Sequence, residues 1–284
     1  MLFNSYSFLA FFPIVVIIYY LLPKKVSYLW LLAASYYFYM GWNAKYALLL
    51  LLSTTITYIS GILLQWILDR HPDNVAVKKW IVAGSFASNL AILFFFKYFN
   101  FTVESLNAVL QHTSLPTVNT SLDVLLPVGI SFYTFQALGY TVDVYRGEIR
   151  AERNFFRYAL FVSFFPQLVA GPIERSKNLL NQLRTPQKFD YRRMCDGLLL
   201  MIWGYFLKLV IADRISIFVD NVYANVGIYD GKYLLLASVL FAFQIYCDFA
   251  GYSTIAIGAA EVMGYQLMEN FNSPYLSQSV SEFW

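Results

Sequence analysis

Runs free of Asp, Glu, Lys and Arg divide this chain more sharply than any other pattern. Residues 1–23, 26–44, 46–68, 80–96 and 124–142 are each uncharged, and Lys24, Lys25, Lys45, Asp69, Lys79, Lys97, Asp123 and Asp143 bound them. Each run is close to the ~17–25 apolar residues that a tilted helix needs to cross a bilayer. Two later runs carry charges inside them: about 197–222, with Lys208, Asp213 and Arg214, and about 233–262, with Asp248 and Glu261. The first two runs are joined by Leu22-Pro23-Lys24-Lys25, where the proline stops the helix. The pattern predicts an all-α, polytopic transmembrane bundle of about eight spans.

The stretch 158–173 is different. Its 16 residues are uncharged but include Pro166, Gly171 and Pro172, so a straight helix of about 20 residues is not expected. Loop charge decides how the stretch runs. If it dips in and returns, then Lys24, Lys25, Arg70, Lys78, Lys79, the four arginines from 146 to 157 and the six basic residues from 175 to 193 share one face. That sets 15 basic residues against Lys45 and Lys232, whereas a full crossing gives 9 against 8. The positive-inside rule selects the first: a re-entrant or broken hairpin near Phe155–Pro172, basic loops in the cytoplasm, and the N-terminus outside. Non-helical backbone at that depth must be buried in protein or line a water-filled cavity.

Composition narrows the class. Of 284 residues, 59% are hydrophobic and 13% charged, against roughly 25% charged in a soluble domain. A water-soluble enzyme, a disordered regulator and a nucleic-acid binder are therefore disfavoured. The net charge of +3 is too small to argue for an acidic partner. Aromatics reach 19%, which suits packing between lipid-facing helices and anchoring at interfaces. Cys195 and Cys247 form no C-x-x-C pair and no disulfide framework. The two histidines, His71 and His112, sit in polar connections without a second ligand at helical spacing, so a zinc site is not expected. No Gly-rich phosphate loop and no G-x-S-x-G elbow occurs. The first 25 residues lack a basic n-region and a small-residue cleavage site, and read as a retained span rather than a removed signal peptide.

The charges inside spans are the candidate chemistry. In 197–222, Lys208, Asp213 and Arg214 cost up to ~9 kcal/mol at a helix centre, while fourteen Leu, Ile, Phe and Val residues offset about 4–8 kcal/mol. Such a helix is near break-even in lipid, so one face is expected to meet protein or water. The three charges either snorkel or pair locally near one end, or they brace a polar interior. Asp248 has 15 uncharged residues before it and 12 after. An acid so placed normally faces a bundle interior or a wet cavity, as a structural hydrogen-bond acceptor or as a substrate contact. Gln244 lies four residues earlier on the same face, and Gly251 lets a neighbouring helix approach. The residues alone imply a polytopic protein with a polar cavity, which fits a transporter as well as an enzyme.

From residue 127 onward the chain resembles the membrane-bound O-acyltransferase (MBOAT) superfamily, and is similar to its bacterial alginate O-acetyltransferases. Six segments in order carry the resemblance. They are Pro127-Val128-Gly129-Ile130-Ser131-Phe132-Tyr133-Thr134-Phe135-Gln136, Tyr140-Thr141-Val142-Asp143-Val144-Tyr145-Arg146-Gly147, and Phe165-Pro166-Gln167-Leu168-Val169-Ala170-Gly171-Pro172-Ile173. Then come Lys208-Leu209-Val210-Ile211-Ala212-Asp213-Arg214, Gln244-Ile245-Tyr246-Cys247-Asp248-Phe249-Ala250-Gly251-Tyr252-Ser253 and Glu269-Asn270-Phe271-Asn272-Ser273-Pro274-Tyr275. Residues 1–126 match more weakly, through Asn4-Ser5 and Ser35-Tyr36-Tyr37-Phe38-Tyr39.

The resemblance implies one membrane domain, with 1–126 as N-terminal spans and 127–284 as the motif-bearing core, in a bacterial inner membrane. It implies transfer of an acyl, usually acetyl, group to hydroxyls of an extracytoplasmic polysaccharide such as alginate. No bound cofactor is implied. The donor, acetyl-CoA or an acyl-carrier partner, would act from the cytoplasmic side, with the polysaccharide acceptor and extracytoplasmic partner proteins on the other. Family members use a buried histidine as base on the acceptor hydroxyl, a role that needs a pKa near the operating pH and close reach. Ser279-Val280-Ser281-Glu282-Phe283-Trp284 resembles the segment just before the family's first key histidine. That histidine is therefore expected beyond Trp284, neither His71 nor His112 inherits its role, and the 284-residue chain is expected to be a fragment without activity alone. Gln136, Gln167, Gln244 and Asp248 are the expected polar wall of the cavity, positioning rather than reacting. The alternatives are D-alanyl or peptidoglycan O-acyl transfer, and a polysaccharide or lipid flippase or transporter. The last is disfavoured because the chain shows one broken segment and no internal repeat.

Overall fold

The computed structural model describes residues 1–112, 127–169, 171–185 and 187–283, and all regular elements among them are helical. Five helices lead into the motif-bearing part: α1 (Tyr6–Leu21), α2 (Ser27–Met40), α3 (Lys45–Arg70), α4 (Val75–His112) and α5 (Ile130–Tyr145). Ser5 starts α1 as a side-chain cap, accepting the Phe8 N–H at 3.2 Å. The proline at 23 ends it, as expected.

Not every uncharged run is a full-length helix. α1, α2 and α5 have 16, 14 and 16 residues, shorter than the ~20 a perpendicular crossing needs. Residues 124–126 of the expected fifth span lie outside the described residues. Helix α4 departs in the other direction. It continues past Lys97 and Glu104 to reach 38 residues, or ~57 Å at 1.5 Å per residue. Charge limits what lipid tolerates, not what stays helical, so an uncharged window underestimates such a helix. By length and apolarity, four described helices can cross a membrane: α3, α4, and two long helices near the C-terminal end.

Those two are a hairpin. The first runs without a break from Tyr191 to Ala224, as α9 (Tyr191–Tyr205), a π-helical turn at Phe206–Ala212, and α10 (Asp213–Ala224). The second is α11 (Gly231–Val262). They meet through two glycine pairs. A Cβ on Gly204 would stand 2.6 Å from the Gly251 carbonyl oxygen, and one on Gly197 would stand 2.8 Å from that of Gly258. Each helix thus presents two glycines seven residues apart, and the backbones close to a distance no side chain permits.

The expected broken hairpin lies between α5 and α9. It consists of α6 (Phe155–Ser163), a break at Phe164, and α7 (Phe165–Leu168), followed by α8 (Ser176–Arg184). Pro166 sits in the first turn of α7, where a missing N–H is harmless. All residues from 158 to 168 are buried. The segment returns to the end it left, because Glu152, just before α6, accepts from Arg184 at the end of α8 at 2.8 Å and from Arg157 at 3.2 Å. Alternation of the long helices places the connections after α1, α3, α5 and α11 at this same end. Hydrogen bonds join them: Ala151 N–H to Gln65, Asn154 to Tyr28, and Gln182 to Gln266. The 15 basic residues therefore gather at or beside one end of the bundle. The core beneath is aromatic, with Phe165 packed on Phe11 and Phe38 at 5.5 and 5.6 Å between ring centroids.

Candidate functional site

The break at Phe164 interrupts the backbone ladder inside the protein, so its freed groups need partners. They have them. The Phe161 carbonyl accepts from Gln136 of α5 at 2.9 Å and from Gln167 of α7 at 2.7 Å. The Phe165 N–H donates to Ser35 of α2 at 3.1 Å, and that hydroxyl donates on to the Leu31 carbonyl. Gly129, at φ +74°, opens α5 in the left-handed region and lies so close to the Leu168 carbonyl that a Cβ would collide with it. The first and third motif segments are thereby locked together. Gln136 also lines a hollow of about 400 Å³ with Asp143, Arg146 and Arg175. The Gln167 Oε1 is buried without a hydrogen-bond partner among the described residues.

Gln244 and Asp248 stand apart from this pair, on α11. Lys208 bridges Asp248 at 2.6 Å and Asp213 at 2.8 Å. The π-turn explains the second contact. Its i→i+5 bonding, including the Asp213 N–H to the Lys208 carbonyl, brings residues five apart onto one face. Local pairing and helix-to-helix bracing thus occur together in one three-membered network. Half of the Asp248 side chain remains open, and the Gln244 Oε1 has no partner among the described residues.

A hollow of about 630 Å³ lies on α11, lined by neither Gln244 nor Asp248. Its walls are Tyr246 and Phe249 of α11, the non-helical strap Glu269–Tyr275, and Glu282 with Phe283. The strap runs back along α11, since the Tyr275 hydroxyl donates to the Ala242 carbonyl at 2.7 Å, twenty residues before the end of that helix. The N–H groups of residues 269–272 have no partner among the described residues. Sequence reasoning had this segment only as a motif. The signal for its placement was a polar, proline-containing stretch directly after an apolar helix.

Two buried carboxylates were missed. Glu152 clamps the neck of the hairpin, as described, and Glu174 accepts from Asn178 and from the Met268 N–H, each at 2.7 Å, fixing the root of the strap. Acids inside an otherwise basic stretch were the available sign. At the same end, the Lys177 ammonium, 2.6 Å from Glu148, holds that carboxyl below its usual range. His71 is exposed at the end of α3, edge-on to Trp66, and the His112 side chain lies outside the described residues. Among those residues no three His, Cys, Asp or Glu side chains gather to hold a metal.

The sequence profile of the MBOAT, membrane-bound O-acyltransferase family matches residues 148–284. Over those residues the chain is a member of that family. Relatives extend the likeness to the N-terminal half. The probable alginate O-acetylase of Pseudomonas aeruginosa is 38% identical over 291 residues, covering 100% of this chain and 54% of its own length. The peptidoglycan O-acetyltransferase of Helicobacter pylori is 32% identical, covering 100% of this chain and 58% of its own length. The teichoic acid D-alanyltransferase of Bacillus subtilis is 29% identical, covering 55% of this chain and 40% of its own length. The chain thus spans about half the length of these first relatives. Its family membership and its long apolar helices make it a multi-pass membrane protein.

Proposed function

We propose that this chain serves a membrane O-acyltransferase that passes an acyl group, acetyl by preference, to hydroxyls of an extracytoplasmic polysaccharide such as alginate. The open strap carries this reading. A non-helical backbone lying along a membrane-spanning helix, with N–H groups unpartnered among the described residues, needs water or further polar groups. The hollow it lines offers two carboxylates and two asparagines over an aromatic floor, a surface suited to a polyol. The three relatives named above each carry an acyl-transfer name, which supports transfer over transport.

In this reading the basic end faces the cytoplasm of a bacterial inner membrane and meets the donor, acetyl-CoA or an acyl-carrier protein. The acceptor and its partner proteins meet the other end. Gln136 and Gln167 position the hairpin, Gln244 and Asp248 lie on the helix that forms one wall of the hollow without lining it, and none is assigned proton transfer. A chimaera tests the reading: residues 1–284 of this chain joined to the rest of the Pseudomonas aeruginosa relative. O-acetylated alginate in cells lacking the native enzyme is expected. Acetyl groups on peptidoglycan instead would change the acceptor. A membrane-inserted chimaera that acylates no polymer would sink the proposal.

A further inference from the structure

We infer that the small pocket beside the α1–α2 turn binds the phosphate of an anionic phospholipid, independently of acyl transfer. The pocket, about 170 Å³, lies between Tyr20, Lys24 and Ser27 on one side and Gln187, Lys188 and Phe189 on the other. No acidic side chain lines it, and neither lysine makes an ion pair among the described residues. A third cation stands behind the wall. Arg193 donates to the Lys188 carbonyl and reaches the Tyr20 hydroxyl, and its Nε has no partner among the described residues. The neighbouring carboxylate, Asp190, is engaged as the cap of α9, accepting the Arg193 N–H at 3.0 Å.

Lys24 and Lys188 line one pocket from opposite sides, and a phosphate there supplies both the opposite charge and several acceptor oxygens. The Ser27 hydroxyl adds a donor, since it holds the Lys24 carbonyl only at 3.3 Å. The walls are already fixed: the Tyr20 hydroxyl donates to the Val262 carbonyl at 2.8 Å, and Gln187 to the Thr185 carbonyl at 3.0 Å. Depth selects the lipid over a soluble phosphate. The pocket sits where α1 ends and α2 begins, at the end of the bundle that collects the basic residues. Tyr20 and Phe189 meet edge-on there, and exposed Leu21 and Tyr191 lie beside them. Aromatic rings with lysines at helix ends mark the headgroup level, and basic pockets between helices hold anionic headgroups.

The test is native mass spectrometry of the purified full chain, released from micelles containing equal phosphatidylglycerol and phosphatidylcholine. Preferential retention of phosphatidylglycerol is expected, reduced on the order of ten-fold in K24Q/K188Q. The equally discharged K78Q/K79Q, at the same end, should keep it. Equal retention by K24Q/K188Q and the wild type overturns the inference, as does equal loss in K78Q/K79Q, which would mean diffuse attraction. Complete displacement by millimolar inorganic phosphate would overturn the lipid assignment in favour of a soluble anion. Circular dichroism of each variant separates these outcomes from misfolding.

Discussion

Among the described residues, two stretches leave the helix alongside the long apolar helices, and they solve the same problem in opposite ways. At Phe164 the freed carbonyl and N–H groups are met by Gln136, Gln167 and Ser35, and every residue from 158 to 168 is out of solvent. Along Glu269–Tyr275 the backbone is open, tied at its root to Glu174 and at its far end to Ala242. A break satisfied by protein is a fixed joint. A strap whose N–H groups lack partners among the described residues is a polar surface, left for water or for further polar groups. The contrast gives the first a role in stability and, under the proposed function, leaves the second for substrate contact, and both halves can be tested.

The largest effect is expected from Gly129→Ala. The left-handed φ and the collision with the Leu168 carbonyl together cost about 2–4 kcal/mol, visible as a large fall in the unfolding midpoint in detergent. Asn270→Ala, on the strap, should change stability by less than about 0.5 kcal/mol and yet lower polymer acetylation in the chimaera. If Asn270→Ala unfolds the protein while Gly129→Ala does not, the comparison is reversed and the strap is the joint.

A finer test separates the two glutamines. Gln136→Leu or Gln167→Leu alone leaves one donor on the Phe161 carbonyl, and each should cost about 1 kcal/mol. The double variant orphans that carbonyl in the interior and should exceed the sum by about 1 kcal/mol or more. Strict additivity in chemical unfolding would show that the two amides do not share the task.

The sequence announced the joint but not how it is held. Pro166, Gly171 and Pro172 in an uncharged run, with the 15-to-2 division of basic residues, located the broken hairpin, because proline and loop charge act locally. Gln136 and Gln167 were legible as polar residues inside apolar segments. Their common target was not, since it depends on how α5 meets α7. The helix hairpin shows the same limit. Gly251 stood out, while its partner Gly204 and the pair Gly197–Gly258 were overlooked. The sign was there, in the seven-residue spacing repeated on both helices. The π-turn at Lys208 had no sequence signal, because residues five apart are not neighbours on an ordinary helix. It is the tertiary ion pair to Asp248 that makes sense of it.

The smallest expected effect concerns the neck of the hairpin. Glu148 follows α5, Lys177 opens α8, and their 2.6 Å pair joins entry to exit. Lys177 holds the carboxyl below the ordinary carboxylate range, with Arg146 and Arg175 adding to the effect. A carboxylate whose pKa is depressed on folding adds stability above its unfolded pKa and loses it as pH falls through the folded one. Glu148→Gln should therefore lower the unfolding midpoint slightly at neutral pH, and the difference from wild type should vanish once the medium is more acidic than the depressed value. The pair is exposed, so added salt should shrink the same difference at neutral pH. Limited proteolysis of the strap should be the same in both proteins throughout, because the strap is anchored through Glu174 and α11 rather than through the neck. If instead Glu148→Gln loosens the strap, the two non-helical stretches form one cooperative unit, and the separation of fixed joint from open strap fails at its weakest link.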